Sequence, residues 1–543
     1  MARMAVLLLL SALAACGATR RMVVAPESYA AREGAKVLAD GGNAVDAAVC
    51  VGFVLAVTHP EAGNLGGGGF LLIHRPDGDV VVDCRETAPG GASSRMYLDE
   101  AGEPRPDASL VGPLASGVPG TVAGYLYALE KWGSMDRARV LEPAIRLAET
   151  GFIADVGLEQ SLRRHRALLE RFPRTAATYL PGGAPIPTGA VVRLPELART
   201  LRLIADRGVE GFYSGSVAEE IERVCAGNGG ILTRADLAAY QPRVRQPLRG
   251  RYQGMEVVTV PPPSSGGVLL LQMLAMLERV DLSVMRPEQR IHYLAEVGRR
   301  AFADRAEYFG DPDFGAVPTE KLLDRDYIES RRATIDLNRA SKSAAIRGGL
   351  AATEGDSTCH FSVVDSGGGA VSCTTTLNGA YGCGIMAAGF LLNNEMDDFT
   401  TAPGRPNVYG LVQGERNEIA PGKRPLSSMA PTILLRDGKP ALVLGTPGGP
   451  TIPSIVCQVI ANRYQRRMAL VHAMAEPRVH HQWMPDAILH ESLDGRVRSL
   501  LEGLGHTLRP KEGPMGDVQA IEIDPDGHVR GVPDPRGHGD AAW

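Results

Sequence analysis

Several features that mark well-known protein classes are missing from this sequence. After the first 15 residues, no stretch is long and apolar enough to cross a membrane as a helix. The eight cysteines contain no CxxC pair, which argues against a zinc site or a redox motif. No G-x-S-x-G segment occurs, which argues against an α/β-hydrolase. Low-complexity tails and internal repeats are also absent.

The charge and composition leave an ordinary globular protein. The net charge is −5 and the lysines and arginines are scattered, so no nucleic-acid surface is indicated. Of the 543 residues, 44% are hydrophobic and 22% are charged, as in typical soluble domains. Glycine (64) and proline (38) are abundant, which favours many turns over long helical bundles.

The N-terminus has the composition of an export signal. Arg3 precedes an apolar run at residues 4–15, which is too short for a stable membrane anchor. The run ends in Leu-Ala-Ala-Cys-Gly, which resembles the lipobox of bacterial lipoproteins, whose cysteine is lipidated. We therefore predict an export signal at residues 1–16 and a periplasmic protein anchored through Cys16. A plain secretory signal with an incidental cysteine is the alternative.

Helical and hairpin patterns alternate along the rest of the chain and predict an α+β fold. The helices are expected at residues 27–38, 43–57, 121–131, 141–150, 195–207, 216–226 and 289–308. Four pairs of apolar runs flank hairpin-type turns, at residues 77–78, 366–369, 437–438 and 526–527. Four hairpins indicate antiparallel sheets whose apolar faces the helices must cover.

Two conspicuous motifs are interpreted as structural. The four glycines at residues 66–69 are not followed by Lys-Ser/Thr, and the next residues are typical of a strand. A phosphate loop needs a helix N-terminus there, so close glycine packing is the better interpretation. His480 and His481 have no HExxH pattern or carboxylate at ligand spacing, so no metal site is predicted.

The informative stretch follows a polar segment at residues 332–356 and extends to Phe399. It resembles the start of the small subunit of gamma-glutamyltranspeptidases. Other matching segments occur in that family's order and cover the chain from about residue 22 to its end. They are NLGGGG at 64–69, DCRETAP at 83–89, PPPSSGG at 261–267, KRPLSSM at 423–429, GTPGG at 445–449 and HHQW at 480–483.

The resemblance implies a four-layer αββα N-terminal-nucleophile hydrolase made from an inactive precursor. The chain is cut between Ser357 and Thr358, which gives a large subunit at 17–357 and a small subunit at 358–543. Both subunits contribute to one intertwined unit, a heterodimer from one precursor. By resemblance, Thr358 is the nucleophile and its own freed α-amine is the base.

The remaining chemical roles also come from the resemblance. Thr376 places a hydroxyl beside the nucleophile, and the amides of Gly448 and Gly449 stabilise the oxyanion. At the α-carboxylate of the glutamyl zwitterion, the resemblance places the Arg85 cation and the hydroxyls of Ser427 and Ser428. At the α-ammonium it places the oxygen acceptors of Glu395, Asp398 and Asn378. No metal or organic cofactor is implied, because the polypeptide supplies every group.

Three further positions matter for the interpretation. Residues 403–410, with Tyr409, resemble the lid loop of many members, and some related acylases lack it. Cys359 stands where threonine or another small polar residue is expected, and Cys84 lies beside Arg85. Each cysteine is either a harmless small residue or a site where oxidation would impair the pocket.

The predicted activity is that of a γ-glutamyltransferase and glutathione hydrolase. The predicted partners are glutathione-type γ-glutamyl substrates and amino-acid or peptide acceptors, with no nucleic acid and with membranes only through the lipid. A cephalosporin- or glutaryl-type acylase of the same superfamily is the nearest alternative. A non-catalytic envelope lipoprotein that keeps the fold is the other.

Overall fold

The computed structural model describes residues 20–346, 357–402 and 415–543, with Ser357 described by its backbone only. The helices are α1 (Ser28–Ala39), α2 (Ala44–Thr58), α3 (Thr121–Trp132), α4 (Arg137–Thr150), α5 (Val156–Arg164), α6 (Arg166–Leu169), α7 (Pro173–Tyr179), α8 (Pro195–Arg207), α9 (Glu210–Tyr213), α10 (Gly215–Gly227), α11 (Arg234–Ala239), α12 (Gly266–Leu277), α13 (Pro287–Tyr308), α14 (Thr319–Leu322), α15 (Arg325–Arg332), α16 (Ile452–Tyr464), α17 (Leu470–Ala475) and α18 (Gly495–Gly503). The strands are β1 (Met22–Ala25), β2 (Gly68–Arg75), β3 (Gly78–Asp83), β4 (Phe152–Ile153), β5 (Val191–Val192), β6 (Arg243–Arg245), β7 (Leu248–Tyr252), β8 (Met255–Thr259), β9 (Ser357–Val364), β10 (Ala370–Asn378), β11 (Met386–Ala387), β12 (Phe390–Leu391), β13 (Thr432–Arg436), β14 (Lys439–Gly445), β15 (Val479–His480), β16 (Ile488–His490), β17 (Leu508–Pro510), β18 (Gln519–Ile523), β19 (Val529–Pro533) and β20 (Asp540–Ala542).

Two large antiparallel sheets form the centre of the molecule. The first sheet has seven strands in the order β20-β1-β9-β10-β2-β3-β6, and the second has six in the order β19-β18-β14-β13-β8-β7. The four hairpins predicted from the sequence are confirmed as β2–β3, β9–β10, β13–β14 and β18–β19. All seven predicted helices are present, with ends that differ by a few residues.

Alternation along the strands of the first sheet divides its side chains between two cores. Val23 and Phe361 lie on the face that helices α1 to α3 cover. Val24 and Phe70 lie on the other face, which packs against the second sheet. Because successive strand side chains point to opposite faces, one strand serves both cores.

The second sheet is covered on its far side by another helical layer. Helices α12, α13 and α16 supply apolar residues to the core that also contains Val257, Ile433 and Leu442. The order helix, sheet, sheet, helix confirms the predicted four-layer αββα architecture.

Local sequence explains where the most buried helix begins. Asn43 accepts hydrogen bonds from the amides of Val45 (2.9 Å) and Asp46 (3.1 Å), and Asp46 accepts one from the Asn43 amide (2.8 Å). This reciprocal cap satisfies amides that the first turn leaves unpaired. Helix α2 is apolar on all sides and is completely buried. Across the described ranges, none of the helices combines the length and hydropathy needed to span a bilayer.

Candidate functional site

Thr358, the predicted nucleophile, lies at the start of β9 on the face that packs against the second sheet. Its neighbour Cys359 lies on the opposite face, among the residues that contact the helices. The β9–β10 register places Thr358 directly opposite Thr376. The Thr358 hydroxyl donates to Thr376 Oγ1 over 3.3 Å, and the Thr358 side chain is almost buried. The structure therefore brings together the two predicted hydroxyls.

A turn after Thr376 connects this pair to the rest of the site. The strand pairing is irregular between Thr376 and Asn378, and Asn378 has a positive φ of 72°. Its amide donates to Thr376 Oγ1 (2.8 Å), and its side-chain amide donates to the Asn394 carbonyl (2.9 Å). Asn394 immediately precedes Glu395, so Asn378 links the hydroxyl pair to the predicted ammonium-binding residues.

The predicted oxyanion donors lie in the turn between β14 and α16. Strand β14 packs across β9 and β10, and the turn begins directly after it. Gly448 has φ 133° and Gly449 has φ 53°, a pair of conformations that favours glycine. Thr451 holds the turn, because its amide (3.0 Å) and hydroxyl (2.7 Å) both donate to the Gly448 carbonyl. Within the described ranges, neither glycine amide donates a hydrogen bond.

Arg85 forms the charged end of the site and is almost completely buried. Its two terminal nitrogens donate to Glu395 and Asp398, respectively. The same guanidinium also donates to the carbonyl oxygens of Pro425 (3.4 Å) and Leu426 (3.2 Å). The predicted carboxylate-binding cation and the predicted ammonium-binding carboxylates are therefore in direct contact.

The two predicted serines follow those carbonyls in the chain. Ser427 Oγ accepts from the amide of Met429 (3.1 Å). Ser428 Oγ is buried and has no hydrogen-bond partner in the described part of the chain. A buried hydroxyl without a partner is costly unless a ligand supplies one. Ser428 therefore offers a hydrogen-bonding position beside Arg85.

Glu86 is a residue of this site that sequence reasoning missed. It is completely buried, and one of its carboxylate oxygens lies 3.6 Å from Arg85 Nη1. Burial, reinforced by the charge of Glu395, raises the pKa of Glu86 well above its usual value. The raised pKa favours the protonated, uncharged form of Glu86 beside Glu395. Its position next to Arg85 in the DCRETAP segment was the available signal.

Tyr240 is a second contact that the sequence did not reveal. Its hydroxyl donates to the backbone carbonyl of Arg85 (2.8 Å). Its ring stacks on Tyr213, with the planes 8° apart and the ring centres 5.8 Å apart. Tyr240 therefore fixes the backbone from which the Arg85 side chain extends, and no local motif marks it in the sequence.

The four-glycine segment proves to be a close-packing element, as predicted. A Cβ at Gly67 would lie 2.0 Å from the carbonyl oxygen of Thr376. The Asn64 side chain donates to that same oxygen (3.0 Å) and accepts from the Gly67 amide (3.0 Å). The segment therefore supports the strand that carries Thr376, and it leads into β2, not into a helix.

Comparison with known proteins identifies the family that has this arrangement. The family model described as gamma-glutamyltranspeptidase matches residues 30–543. The chain belongs to this family. The glutathione hydrolase proenzyme of Escherichia coli (strain K12) is 44% identical over 527 residues, which cover 96% of this chain and 91% of that protein.

Solved structures of an acylase and of a gamma-glutamyltranspeptidase are similar to this chain. The cephalosporin acylase from Bacillus halodurans superposes with a TM-score of 0.84 at 25% identity, and the match covers 97% of this chain and 96% of that one. The Helicobacter pylori gamma-glutamyltranspeptidase matches with a TM-score of 0.58 at 41% identity. That match covers 59% of this chain and 93% of the solved one.

The two unexpected cysteines, Cys84 and Cys359, lie in the core that the helices cover. Cys359 and Cys84 are both buried and carry free thiols. Burial raises the pKa of each thiol above its usual value, which disfavours the reactive thiolate. Of the two interpretations left open by the sequence, burial favours the harmless small residue.

Three predicted positions are not tested by side-chain contacts. The backbone of Ser357 pairs with Asn378, and its side chain is not described. Tyr409 of the predicted lid and Cys16 of the predicted lipobox lie outside the described residues. Their roles stay predictions.

Among the described residues, His292, Glu296 and His506 are close enough together to be considered as metal ligands. However, Glu296 already accepts from Arg300 (2.6 Å) and from the Ser341 amide (2.9 Å). The two imidazoles bond to each other, with His292 Nδ1 and His506 Nε2 2.7 Å apart. We interpret the group as a buried hydrogen-bond network, because a nearby guanidinium disfavours a cation.

His480 and His481 also have structural surroundings, as predicted. His480 Nδ1 lies 2.8 Å from Ser454 Oγ, and its Nε2 lies 3.0 Å from Gln482 Oε1. Burial lowers the pKa of His480 to about 4. The ring is therefore neutral at pH 7 and holds α16 against β15.

Proposed function

We propose that this protein is a γ-glutamyltransferase and glutathione hydrolase whose nucleophile is Thr358. The observation that carries the proposal is one connected site with two chemically different ends. A hydroxyl pair forms one end, and a buried guanidinium with two carboxylates forms the other. Asn378 bonds to Thr376 at one end and to the carbonyl of Asn394, the residue before Glu395, at the other. A γ-glutamyl group needs both, because its amide reacts at a distance from its zwitterionic head.

Processing would begin at the peptide bond before Thr358. The Thr358 hydroxyl attacks the Ser357 carbonyl carbon, and its proton passes to the Thr358 nitrogen, with the hydrogen-bonded Thr376 hydroxyl as the candidate relay. The C–N bond breaks, so the acyl group moves to oxygen and the nitrogen becomes an amine. Water then hydrolyses the ester. The new α-amine has an ordinary pKa of about 7.7–8, so a useful fraction is neutral at working pH.

Turnover would use the same oxygen as nucleophile and the freed amine as base. The amine takes the Thr358 proton while the oxygen attacks the γ-carbonyl of the substrate. The proton then passes to the leaving amine, and a γ-glutamyl ester remains on Thr358. Water or an amino group resolves that ester. The amides of Gly448 and Gly449, which donate no hydrogen bond within the described ranges, are the proposed donors to the oxyanion in both steps.

The head of the substrate would bind by exchanging partners at the charged end. Arg85 forms ion pairs with both Glu395 and Asp398. A zwitterion places its carboxylate on the guanidinium and the serine hydroxyls, and its ammonium on the two carboxylates. Each ion therefore keeps an opposite charge, which avoids leaving a buried charge unpaired.

We further propose that the processed protein is a heterodimer of residues 17–357 and 358–543. Both sheets contain strands from before and after Thr358, so a cut there leaves the two pieces interleaved. We also retain three proposals about segments outside the described residues. They are export by residues 1–16, lipidation of Cys16 in the periplasm, and closure of a lid that includes Tyr409.

The alternative is an acylase of the kind represented by the cephalosporin acylase structure. Such an enzyme would share the processing step but accept an acyl group that has no α-ammonium. The two carboxylates beside Arg85 favour a γ-glutamyl substrate, because an acyl chain without an ammonium would leave them with one cation. Turnover of γ-glutamyl-p-nitroanilide against glutaryl-p-nitroanilide separates the two activities.

The decisive experiment compares wild type with Thr358→Ala by intact-mass measurement and anilide turnover. We expect wild type to split into two chains, the smaller starting at Thr358, and to prefer the γ-glutamyl anilide. The variant should stay whole and inactive. An active but unsplit wild type would show that Thr358 is not the nucleophile. An unsplit, inert wild type would favour the non-catalytic lipoprotein.

A further inference from the structure

The peptide group between Ser427 and Ser428 is held firmly from one side. The Ser427 carbonyl accepts from both the amide (2.7 Å) and the hydroxyl (2.8 Å) of Ser265. The Ser427 amide donates to the Pro263 carbonyl (3.0 Å). Both backbone groups of Ser427 therefore face the PPPSSGG segment at residues 261–267.

The neighbouring backbone groups must point the other way. In extended chain, the carbonyl of the preceding residue and the amide of the following one lie opposite to the groups of the central residue. The Leu426 carbonyl accepts from Arg85, so this opposite side is the side of Arg85. The Ser428 amide points there too, and in the described ranges it donates no hydrogen bond.

Arg305 is connected to this peptide group through Ser265, on the side away from Arg85. It is an almost completely buried residue of α13, and its Nε donates to Ser265 Oγ over 2.9 Å. A guanidinium has donors only, so the Ser265 oxygen must accept from it. The Ser265 hydrogen is then directed to the Ser427 carbonyl. Two consecutive hydrogen bonds therefore connect the Arg305 guanidinium, through the Ser265 hydroxyl, to the Ser427 carbonyl.

Building on the proposed function, we propose that Arg305 is a positioning residue for the α-carboxylate of the γ-glutamyl substrate. Its charge orients Ser265 and polarises the Ser427–Ser428 peptide, because hydrogen bonds in such a line strengthen one another. The opposite end of that peptide is the Ser428 amide on the Arg85 side. The substrate carboxylate would thus meet Arg85 directly and Arg305 through the peptide.

The close packing of the segment explains why the line is built from small residues. A Cβ at Gly266 would lie 2.4 Å from the Ser428 carbonyl oxygen and 2.3 Å from that of Met429. Ser264 also donates to the Met429 carbonyl, over 2.5 Å. Only a backbone without side-chain bulk approaches residues 427–429 this closely, so the position of Ser265 is fixed along with them.

The test uses two substrates that differ only in the carboxylate. The anilide of 4-aminobutanoic acid is γ-glutamyl-p-nitroanilide with hydrogen in place of the α-carboxylate, and it keeps the ammonium. The measured quantity is the ratio of kcat/KM for the γ-glutamyl anilide to that for the 4-aminobutanoyl anilide. General damage to the site lowers both values and leaves this ratio unchanged.

The variants are Arg305→Gln, Ser265→Ala and the double variant, with Arg305→Lys as the conservative change. Losing a charge-assisted hydrogen bond lowers the ratio about tenfold in either single variant. The double variant should show no further fall, because both changes interrupt one line. Arg305→Lys keeps the charge and should retain more of the ratio than Arg305→Gln. The matched control is Arg300→Gln, since Arg300 is equally buried on α13 but contacts Glu296 and Thr334.

The outcomes separate this proposal from the proposed function. An unchanged ratio in Ser265→Ala, or an equal fall in Arg300→Gln, overturns the role of Arg305. Ser265→Ala decides the question alone if Arg305→Gln fails to fold. If wild type neither splits nor turns over the γ-glutamyl anilide, it is the proposed function that fails, before Arg305 is tested.

Discussion

The two ends of the site differ in how much of their bonding capacity is already used. At the charged end, Arg85 bonds to two carboxylates and two carbonyls. At the reacting end, and among the described residues, the Thr358 hydroxyl makes one hydrogen bond, of 3.3 Å, and the amides of Gly448 and Gly449 donate none. The charged end must exchange hydrogen-bond partners to bind a ligand, whereas the reacting end has donors available for a developing negative charge.

Substrate binding at the charged end and bond breaking at the reacting end therefore depend on different physical effects. Under the proposed function, the charged end would select a zwitterion, because only a ligand with both charges replaces the contacts that it disrupts. Burial raises the pKa of Glu86, which favours its uncharged form beside Glu395 and Asp398. The reacting end depends on fixed dipoles that need not reorganise when an oxyanion forms. The two ends should therefore fail in different ways when altered.

The largest expected effect is at the reacting end. Thr376→Ala removes the oxygen that accepts from both Thr358 and the Asn378 amide. We expect self-cleavage to slow by about 1000-fold, since proton transfer loses its positioned partner. The half-time of chain splitting, followed by denaturing electrophoresis, measures the effect. Thr376→Ser keeps the oxygen and should split at nearly the wild-type rate; equal rates for the two variants would contradict the assigned role.

A change at the charged end should spare self-cleavage. Arg85→Lys keeps a positive charge but replaces a planar fork by one ammonium, which cannot serve two carboxylates and a ligand together. We expect kcat/KM for γ-glutamyl-p-nitroanilide to fall about 100-fold, while the chain still splits. If chain splitting is lost as well, the charged end and the reacting end are not independent.

The proposed oxyanion turn, with Gly448 and Gly449, provides a matched pair of smaller effects. Gly448 has φ 133°, and an added Cβ would lie 2.6 Å from Thr451 Oγ1. Gly449 has φ 53°, which alanine adopts at a cost of about 1–2 kcal/mol. Gly448→Ala should therefore lower kcat about thirtyfold, and Gly449→Ala about fivefold. Steady-state kinetics on split enzyme decides, and the reverse order would argue against this turn as the oxyanion site.

The smallest effect concerns Asp397, which lies beside the charged end. Burial is the main reason that its pKa rises to about 6; a hydrogen bond from Ser109 (2.5 Å) opposes the rise and the charge of Glu395 adds to it. The folded protein thus binds this proton more tightly than the unfolded chain, where the pKa is about 3.9. The resulting stabilisation is complete below about pH 4 and is lost as the pH rises through about 6.

Asparagine at this position cannot titrate, so the stability difference should change with pH. We expect the Tm of Asp397→Asn relative to wild type to increase by about 2 °C between pH 4.5 and 7. Thermal unfolding at both pH values measures it. Asp206→Asn is the control, because Asp206 is exposed. A constant difference for Asp397→Asn would mean that this carboxyl titrates normally.

Much of the architecture was predictable because it depends on local patterns. Hairpin turns such as Asp77-Gly78 and Asp437-Gly438 set strand pairing, and alternation within β9 separates Thr358 from Cys359. The direct pairing of Arg85 with Glu395 and Asp398 was not foreseen, since motif matching assigns each residue to a ligand and not to its neighbours. Tyr240 and Arg305 were missed because their contacts span long sequence separations.

The strand order of the first sheet has a consequence for how the gene could be rearranged. Strand β20 pairs with β1 so that Ala542 lies opposite Val23, which places the two ends of the described chain side by side. A short linker from Trp543 to Arg21 would therefore permit a circular permutant whose translation starts at Thr358. Once its initiator methionine is removed, such a chain would carry the free threonine amine from birth. Maturation and catalysis, which the natural order makes successive, would become separable by design.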